Sequence, residues 1–249
     1  MNCKCGGHDR GLALSVVIPV YHEPQNIRYL LREFDRVVRV RPVEILVVYD
    51  FAEDPTVPVV QELAEEFPYV YAIANRFGPG ALNALKTGIA LARAPLLIVT
   101  MGDRSDDLAQ IDNIYGHGLA GFDLVAASRY MIGGRQLGGP LIKQMLSRLA
   151  GVSLHWLAGL PTHDPTNNFK LYSRRLLDRV TIESTAGFEL ALELTVKAHL
   201  MGMRITEVPT TWTYRNEGAS RFRFFEWLPH YLRWYLLALR HGRWAHGQS

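Results

Sequence analysis

Residues Leu96 to Thr100 form an unbroken apolar or β-branched run, L-L-I-V-T, which leads through Met101 and Gly102 into Asp103, Asp106 and Asp107. A run with no polar alternation marks a strand buried on both faces, and such strands belong to parallel sheets covered by helices. In open sheets of that kind, ligands gather at the carboxyl ends of the strands. Crowded carboxylates repel one another unless a cation or strong donors neutralise them, so a divalent metal is expected here. Ser105, Asp106 and Asp107 also have the form of a helix start, a hydroxyl cap with two acids in the first turn. On that pattern Asp106 and Asp107 are capping residues, and Asp103 is the metal or phosphate-site residue.

The same plan recurs along the first half of the chain. Leu14 to Val20 is an apolar run that breaks at Tyr21-His22-Glu23-Pro24 and continues as an amphipathic helix toward Val38. Glu44 to Asp50 is a second strand ending on an acid, followed by a Pro-punctuated loop and a helix to Glu66. Tyr69 to Ala74 is a third, after which Gly78-Pro79-Gly80 opens a helix from Ala81 to Ala92. The glycines permit close approach to a phosphate, although G-P-G lacks the spacing of the familiar phosphate loops. Asp123 to Ala127 is a further strand, ending in Ser128-Arg129-Tyr130. Strands alternating with helices at this spacing predict an α/β fold around a mostly parallel sheet.

The second half changes character. A helix over about Leu141 to Ala158 precedes the loop His163 to Asn168, a short strand Phe169 to Tyr172 and a helix Phe188 to Leu200. Arg204 to Tyr214 is expected to be an edge strand, because Pro209 inside it removes a ladder donor. From Arg221 onward, aromatic residues and leucines alternate with arginines, which suits a helix lying in a membrane interface as well as one docked on the domain. Lys143 and Ser147 are one helical turn apart and share a face. His155, His163 and His199 show no metal-ligand spacing.

The 249 residues are 48% hydrophobic and 20% charged, enough for one large α/β domain. A formal charge of +3 gives no reason to expect nucleic acid as a partner. Cys3 and Cys5 provide no disulfide framework, and zinc there would need at least one more ligand. No apolar run approaches the ~18 to 20 residues that span a bilayer. The chain is expected to be cytoplasmic and peripheral on the cytoplasmic membrane face, with a membrane-anchoring partner left open. Three segments are expected: a flexible tail over 1–12, a catalytic domain over 13–220 and an amphipathic C-terminal segment over 221–249.

With these stretches placed, the chain from Leu14 to Arg221 resembles the inverting family-2 glycosyltransferases, and among them the dolichol-phosphate mannosyltransferase-like group. The resemblance rests on motifs in order: V-V-I-P-V-Y-H-E from Val16, V-V-Y-D from Val47, M-G-D-R-S from Met101, A-S-R-Y from Ala127, D-P-T-N-N-F from Asp164, G-F-E from Gly187, and E-V-P with R-N-E-G-A-S-R between Glu207 and Arg221. It implies a GT-A-type nucleotide-sugar-binding fold that moves a sugar from a nucleoside-diphosphate sugar to a polyprenyl phosphate, with inversion. It places Pro19, Tyr21, Glu23 and Asp50 around the base and ribose, with Gly80 counted in the same nucleotide site. Asp103 matches the second acid of the family's Asp-X-Asp metal motif, with Ser105 as an added oxygen and Mg²⁺ or Mn²⁺ as the cofactor. Arg129, Lys143 and Ser147 fall where related enzymes hold phosphates, and Arg215, Ser220 and Arg221 match the segment that closes over the site, with Arg221 in place of Lys.

Two positions depart from the family. Tyr49 stands where the first of two acids is usual, and Met101 where the metal motif has its first Asp. A thioether is a poor ligand for a hard cation, so metal affinity without nucleotide is expected to be weak. An anionic lipid phosphate needs no general base, whereas a hydroxyl acceptor would need a carboxylate, for which Asp164 and Glu189 are the candidates. A transferase acting on a soluble hydroxyl and a catalytically silent nucleotide-binding homologue are the alternatives.

Overall fold

The structure is a computed structural model that describes residues 11–185, 187–214 and 224–241. Its elements run β1 (Leu14–Pro19), α1 (Pro24–Val37), β2 (Val43–Tyr49), α2 (Thr56–Glu66), β3 (Val70–Ala74), α3 (Ala81–Leu91), β4 (Leu96–Val99), a single 3₁₀ turn (Leu108–Gln110), α4 (Ile111–Leu119), β5 (Leu124–Ser128), β6 (Arg135–Leu137), α5 (Leu141–Ala158), β7 (Lys170–Ser173), α6 (Arg174–Arg179), α7 (Leu190–Leu200), β8 (Ile205–Pro209), β9 (Thr211–Thr213) and α8 (Phe224–His241). The main sheet has the order β3-β2-β1-β4-β7-β5-β8. β1, β2, β3 and β4 pair in parallel, with Val16 opposite both Ile45 and Ile98.

β7 is the exception. It runs antiparallel to both β4 and β5, and two reversals restore the direction, so β5 points the same way as β4. The loops after β1, β2, β4 and β5 therefore open on one edge of the sheet, and that edge carries Tyr21, Asp50, Asp103 and Arg129.

Strand alternation divides the core. Val16, Ile18, Ile45, Ile98 and Val125 face α1, α2 and α4, while Val17, Leu46, Val48, Leu97 and Leu124 face α3 and α7. α3 approaches β1 closely because Gly88 lies against Val17, where an added Cβ would come within 2.2 Å of a valine methyl. A third cluster, Leu154, Ala158, Leu160, Leu192, Val196, Trp234 and Ala238, joins α5, α7 and α8.

Two expectations need correction. The segment from Arg204 to Tyr214 is two strands: β8 is the sheet edge and Pro209 ends it, after which β9 leaves to pair with β6 in a separate two-stranded ribbon. Proline ends the ladder because it has no amide hydrogen to donate. Ser105 does not cap a helix. Asp107 caps the 3₁₀ turn by accepting from the Ala109 amide, and Asp106 turns back to accept from Thr100 Oγ1 and the Met101 amide. α8, although rich in aromatics, buries Trp234 and Ala238 against α5 and α7. The expected boundary at 220/221 lies outside the described residues.

Candidate active site

The carboxyl edge of the sheet opens into a cleft of about 1560 Å³. Pro19, Tyr21, Glu23, Asp50, Gly80, Asp103, Ser105, Arg129 and Ser147, nine residues singled out from the sequence, all line it. The Lys143 side chain, Arg215, Ser220 and Arg221 lie outside the described part. Drug-sized ligands occupy pockets of ~300 to 1,000 Å³, so this cleft has room for two substrates. A smaller hollow of about 320 Å³ lies at the amino end of β5, the opposite edge. There Asp123 already holds Arg175 by two hydrogen bonds of 2.7 Å, which gives it a structural task.

The nucleotide end is built from strand-end loops tied to one another. Asp50 accepts from the Gly80 amide at 2.9 Å and from Asn75 Nδ2 at 2.9 Å, joining the β2 loop to the G-P-G loop. Gly80 sits at φ +116°, a conformation that disfavours side chains, and this lets its amide face the carboxylate. Asp54, fully buried, accepts from the His22 amide at 2.9 Å, and Thr56 Oγ1 accepts from the Glu23 amide at 2.8 Å. These bonds hold His22 at φ +56°, a left-handed conformation unusual for a side chain of that size.

Asp103 lines the cleft with one carboxylate oxygen uncommitted among the described residues. Its Oδ1 accepts from the Ser105 amide at 3.0 Å, while its Oδ2 accepts from no described residue. Ser105 Oγ is buried without a hydrogen-bond partner among the described residues. The orphaned Ser105 hydroxyl and the uncommitted Asp103 oxygen, two residues apart in the chain, are the candidate oxygen ligands for a hard cation, whose shell phosphate and water would complete. No group of three or more His, Cys, Asp or Glu able to hold a metal occurs among the described residues, in keeping with Met101 at the expected first acid. Asp106, assigned to capping from the sequence, is the neighbour that matters: desolvation and the Asp103 charge push its carboxyl up to about 7. It remains partly open to solvent, so the desolvation comes from the protein packed around it and not from full enclosure.

The strand-end loop of β5 builds a cationic subsite. Arg129 donates from Nε to Asp164 Oδ2 at 2.7 Å and from Nη2 to Oδ1 at 2.9 Å, a two-point pair that a third bond from the Arg129 amide supports. Asp164 is fully buried and Arg129 nearly so. Burial alone would raise the Asp164 carboxyl, but the Arg129 charge and hydrogen bonds outweigh it and hold Asp164 below its ordinary value. Asp164 is thus more than the turn former that Pro165 suggests, and it is a poor base. Arg129 Nη1 donates to no described residue, and Nη2 reaches Ser147 Oγ at 3.4 Å. Ser147 Oγ in turn lies 3.0 Å from Thr166 Oγ1. Glu189 is buried at the start of α7, where Oε1 accepts from the Thr185 amide, and neither it nor Asp164 lines the cleft.

From Ser147 the cleft continues between α5, α7 and α8 as an apolar arm lined by Leu146, Leu149, Leu154, Leu192, Leu228 and Leu232. α5 also carries an exposed apolar stripe. Ile142, Met145, Leu149 and Trp156 fall at steps of three, four and seven residues, which places them on one face, and each is between 68% and 74% exposed.

The family model described as glycosyl transferase family 2 matches residues 15–181, two thirds of the chain and every strand from β1 to β7. The chain belongs to glycosyltransferase family 2. Among its relatives in this family, polyprenol monophosphomannose synthase of Mycolicibacterium smegmatis is 30% identical over 213 residues, 83% of this chain and 79% of that protein. Dolichol-phosphate mannosyltransferase of Pyrococcus furiosus is 27% identical over 89% of this chain; the match spans 63% of that longer protein, less than two thirds of its length. Among solved structures, glucosyl-3-phosphoglycerate synthase from Mycobacterium tuberculosis, in complex with Mn²⁺, uridine diphosphate and glucosyl-3-phosphoglycerate, has a TM-score of 0.63 at 18% identity, covering 94% of this chain and 81% of that one. At that identity the likeness concerns the fold, and the expected GT-A-type α/β architecture with a mostly parallel sheet is borne out.

Proposed function

We propose that this family-2 glycosyltransferase moves a sugar from a nucleoside-diphosphate sugar to a polyprenyl phosphate, inverting the anomeric carbon, at a membrane surface. The observation that carries this reading is the continuity of the cleft: the Arg129 and Ser147 subsite runs without a break into the apolar arm between α5 and α8. A cation beside an apolar groove matches an anionic head on a hydrocarbon chain. Each buried CH₂ contributes about 0.8 kcal/mol, so one five-carbon isoprene unit in the arm contributes on the order of 4 kcal/mol. The names of the relatives above point the same way.

The mechanism follows from the charges. The second pKa of a phosphate monoester lies near ~6, so the acceptor oxygen is anionic at neutral pH and requires no base. That suits a site in which Asp164 is held ionised by Arg129 and Glu189 lies outside the cleft. Neither acid considered as the base for a hydroxyl acceptor, Asp164 or Glu189, lines the cleft. Arg129, through its open Nη1 edge, and Ser147 would orient the acceptor phosphate for in-line attack. Asp103 and Ser105 would hold a divalent metal, Mg²⁺ or Mn²⁺, whose charge would stabilise the departing diphosphate. Pro19, Tyr21, Glu23, Asp50 and Gly80 would seat the nucleoside, while Lys143, Arg215, Ser220 and Arg221 are further phosphate-handling candidates.

The exposed apolar stripe of α5, together with Leu228, Leu232 and Leu236 exposed on α8, supports a membrane contact through these two helices. No described helix is long and apolar enough to cross a membrane. The reading thus involves peripheral contact, on the cytoplasmic face, with 13–220 as the catalytic unit and any anchoring partner separate from it.

The experiment compares acceptors: a short polyprenyl phosphate, the same polyprenol without phosphate, and glycerol 3-phosphate. Sugar should pass to the first alone. Comparable transfer to glycerol 3-phosphate or to the bare polyprenol contradicts the reading.

Restoring the missing acid provides a gain-of-function test. Met101→Asp should raise Mn²⁺ affinity about tenfold or more, because a second carboxylate completes more of the oxygen shell. Without metal the same variant should be less stable, since it places a third carboxylate beside Asp103 and Asp106. Calorimetric Mn²⁺ titration and thermal melts with and without chelator measure both effects.

A further inference from the structure

Lys170 stands in β7, in the middle of the sheet, and is fully buried. Its ammonium donates to three backbone carbonyls of one turn: Asp164 O at 3.3 Å, Pro165 O at 3.1 Å and Asn167 O. Three donors on three acceptors use the full capacity of a protonated amine; a neutral amine has only two hydrogens to offer. The turn held in this way supplies the second layer of the cationic subsite. Asp164 holds Arg129, Thr166 contacts Ser147, and Asn167 Nδ2 donates to Ala127 O at the end of β5.

Charge makes the arrangement more than a clasp. Arg129 paired with Asp164 alone would be neutral overall and would have little attraction for a phosphate. Lys170 lies in the same cluster as Arg129, Asp164, Asp106 and Glu207, so its positive charge offsets part of the surrounding carboxylate charge and makes the potential at Arg129 more positive than it would otherwise be. We propose that Lys170 is the positioning residue of the acceptor-phosphate subsite: it fixes the Asp164–Asn167 turn and offsets the charge of Asp164, which leaves Arg129 cationic toward the cleft. This rests on the acceptor reading proposed above and adds a residue that never touches the substrate.

The groups facing the ammonium are Asp164 from the turn, Arg129 from β5, Asp106 from the β4 loop and Glu207 from β8. Burial pushes the Lys170 pKa down to about 7 against the pull of Asp164. The proton is then lost in the folded protein as pH rises through about 7, while the unfolded chain keeps it to the ordinary value of 10.5. Between those values the unfolded state binds more protons, so the contribution of Lys170 to stability rises with pH while its charge disappears from the subsite. Falling acceptor affinity combined with undiminished stability is a signature that unfolding does not produce. The acceptor phosphate is already doubly ionised above pH 7, so its own titration adds little over that range.

The test uses the intact chain. Lys170→Met should raise KM for a short polyprenyl phosphate about tenfold or more, with the Kd of the nucleotide sugar changed less than about twofold. Lys170→Gln, which keeps two donors and loses the charge, should recover melting temperature but not acceptor affinity. In the wild type, KM for the acceptor should climb from pH 7 to 9 while donor Kd stays flat. An unchanged acceptor KM in a folded variant, equal losses of donor and acceptor binding, or full recovery by Gln would each overturn the proposal. If neither variant folds, the pH series is run on Asp106→Asn, which removes the other group titrating near 7, and a flat acceptor KM there overturns the proposal. A wild-type protein that neither binds nor glycosylates polyprenyl phosphate would count against the acceptor reading instead. Lys170 is then judged by inorganic phosphate binding, read from the Arg129 Nε–H resonance across the same pH range, where loss of binding with pH is expected and constancy overturns the role.

Discussion

Arg129→Ala should reduce transfer by about 10³-fold and cost about 3 kcal/mol of stability. The catalytic loss follows from removing the guanidinium proposed to orient the acceptor phosphate, since one such preorganised donor is worth two to three orders of magnitude. The stability loss has a different origin. Arg129 satisfies both oxygens of a fully buried carboxylate, and breaking a buried pair by removing one partner costs about 3 to 5 kcal/mol. The lower figure applies because Lys170 remains as a second cation for Asp164. Asp164→Asn offers the complementary comparison: the buried charge disappears together with its partner's anchor, so activity should fall while stability falls less than in Arg129→Ala. Steady-state kinetics and denaturant melts on the two variants separate these effects. Equal acceptor KM in wild type and Arg129→Ala would remove Arg129 from the site.

Asp103→Ala should abolish measurable transfer and remove the metal dependence of donor binding. This effect should exceed that of a typical metal ligand, because Met101 leaves Asp103 without a second carboxylate in its motif. With only Ser105 Oγ beside it, the loss of Asp103 leaves a hydroxyl that cannot hold a hard cation alone. Stability should change little, since only one oxygen of Asp103 carries a local hydrogen bond, to Ser105. Residual metal-dependent transfer in this variant would move the metal elsewhere in the cleft. Donor binding that never depended on metal in the wild type would favour the silent homologue over the transferase.

Much of this site is legible in the sequence because parallel strands convert local patterns into a shared edge. Apolar runs ending at Tyr21, Asp50, Asp103 and Arg129 each announce a buried strand followed by a functional loop, and the topology brings the four ends together. What the sequence conceals depends on contacts between distant segments. The Arg129–Asp164 pair joins residues 35 positions apart, and nothing near either one specifies the other. D-P-T at Asp164 has ordinary turn chemistry, which masked a buried ion pair. Lys170 reads as a polar residue in a short strand until β7 is found between β4 and β5, where both faces of the strand are covered.

Local ambiguity explains the Ser105-Asp106-Asp107 segment in the same way. One of its acids does cap a turn, but the other faces back toward Thr100, and the two are indistinguishable by spacing. The C-terminal helix shows the limit of composition. Aromatic residues alternating with arginines suit a lipid interface and a protein groove equally well, and α8 shows both features: Trp234 and Ala238 are buried in the protein while Leu228, Leu232 and Leu236 are exposed.

The most direct test of the central claim is transfer from a panel of radiolabelled UDP- and GDP-sugars to a short polyprenyl phosphate, with Mg²⁺ and with chelator, followed by assignment of the anomeric configuration of the product. The account predicts one productive donor, dependence on the metal, and a glycosyl phospholipid whose anomeric configuration is opposite to that of the donor. Retained configuration, undiminished transfer in chelator, or donor binding with sugar delivered only to a soluble hydroxyl would contradict it.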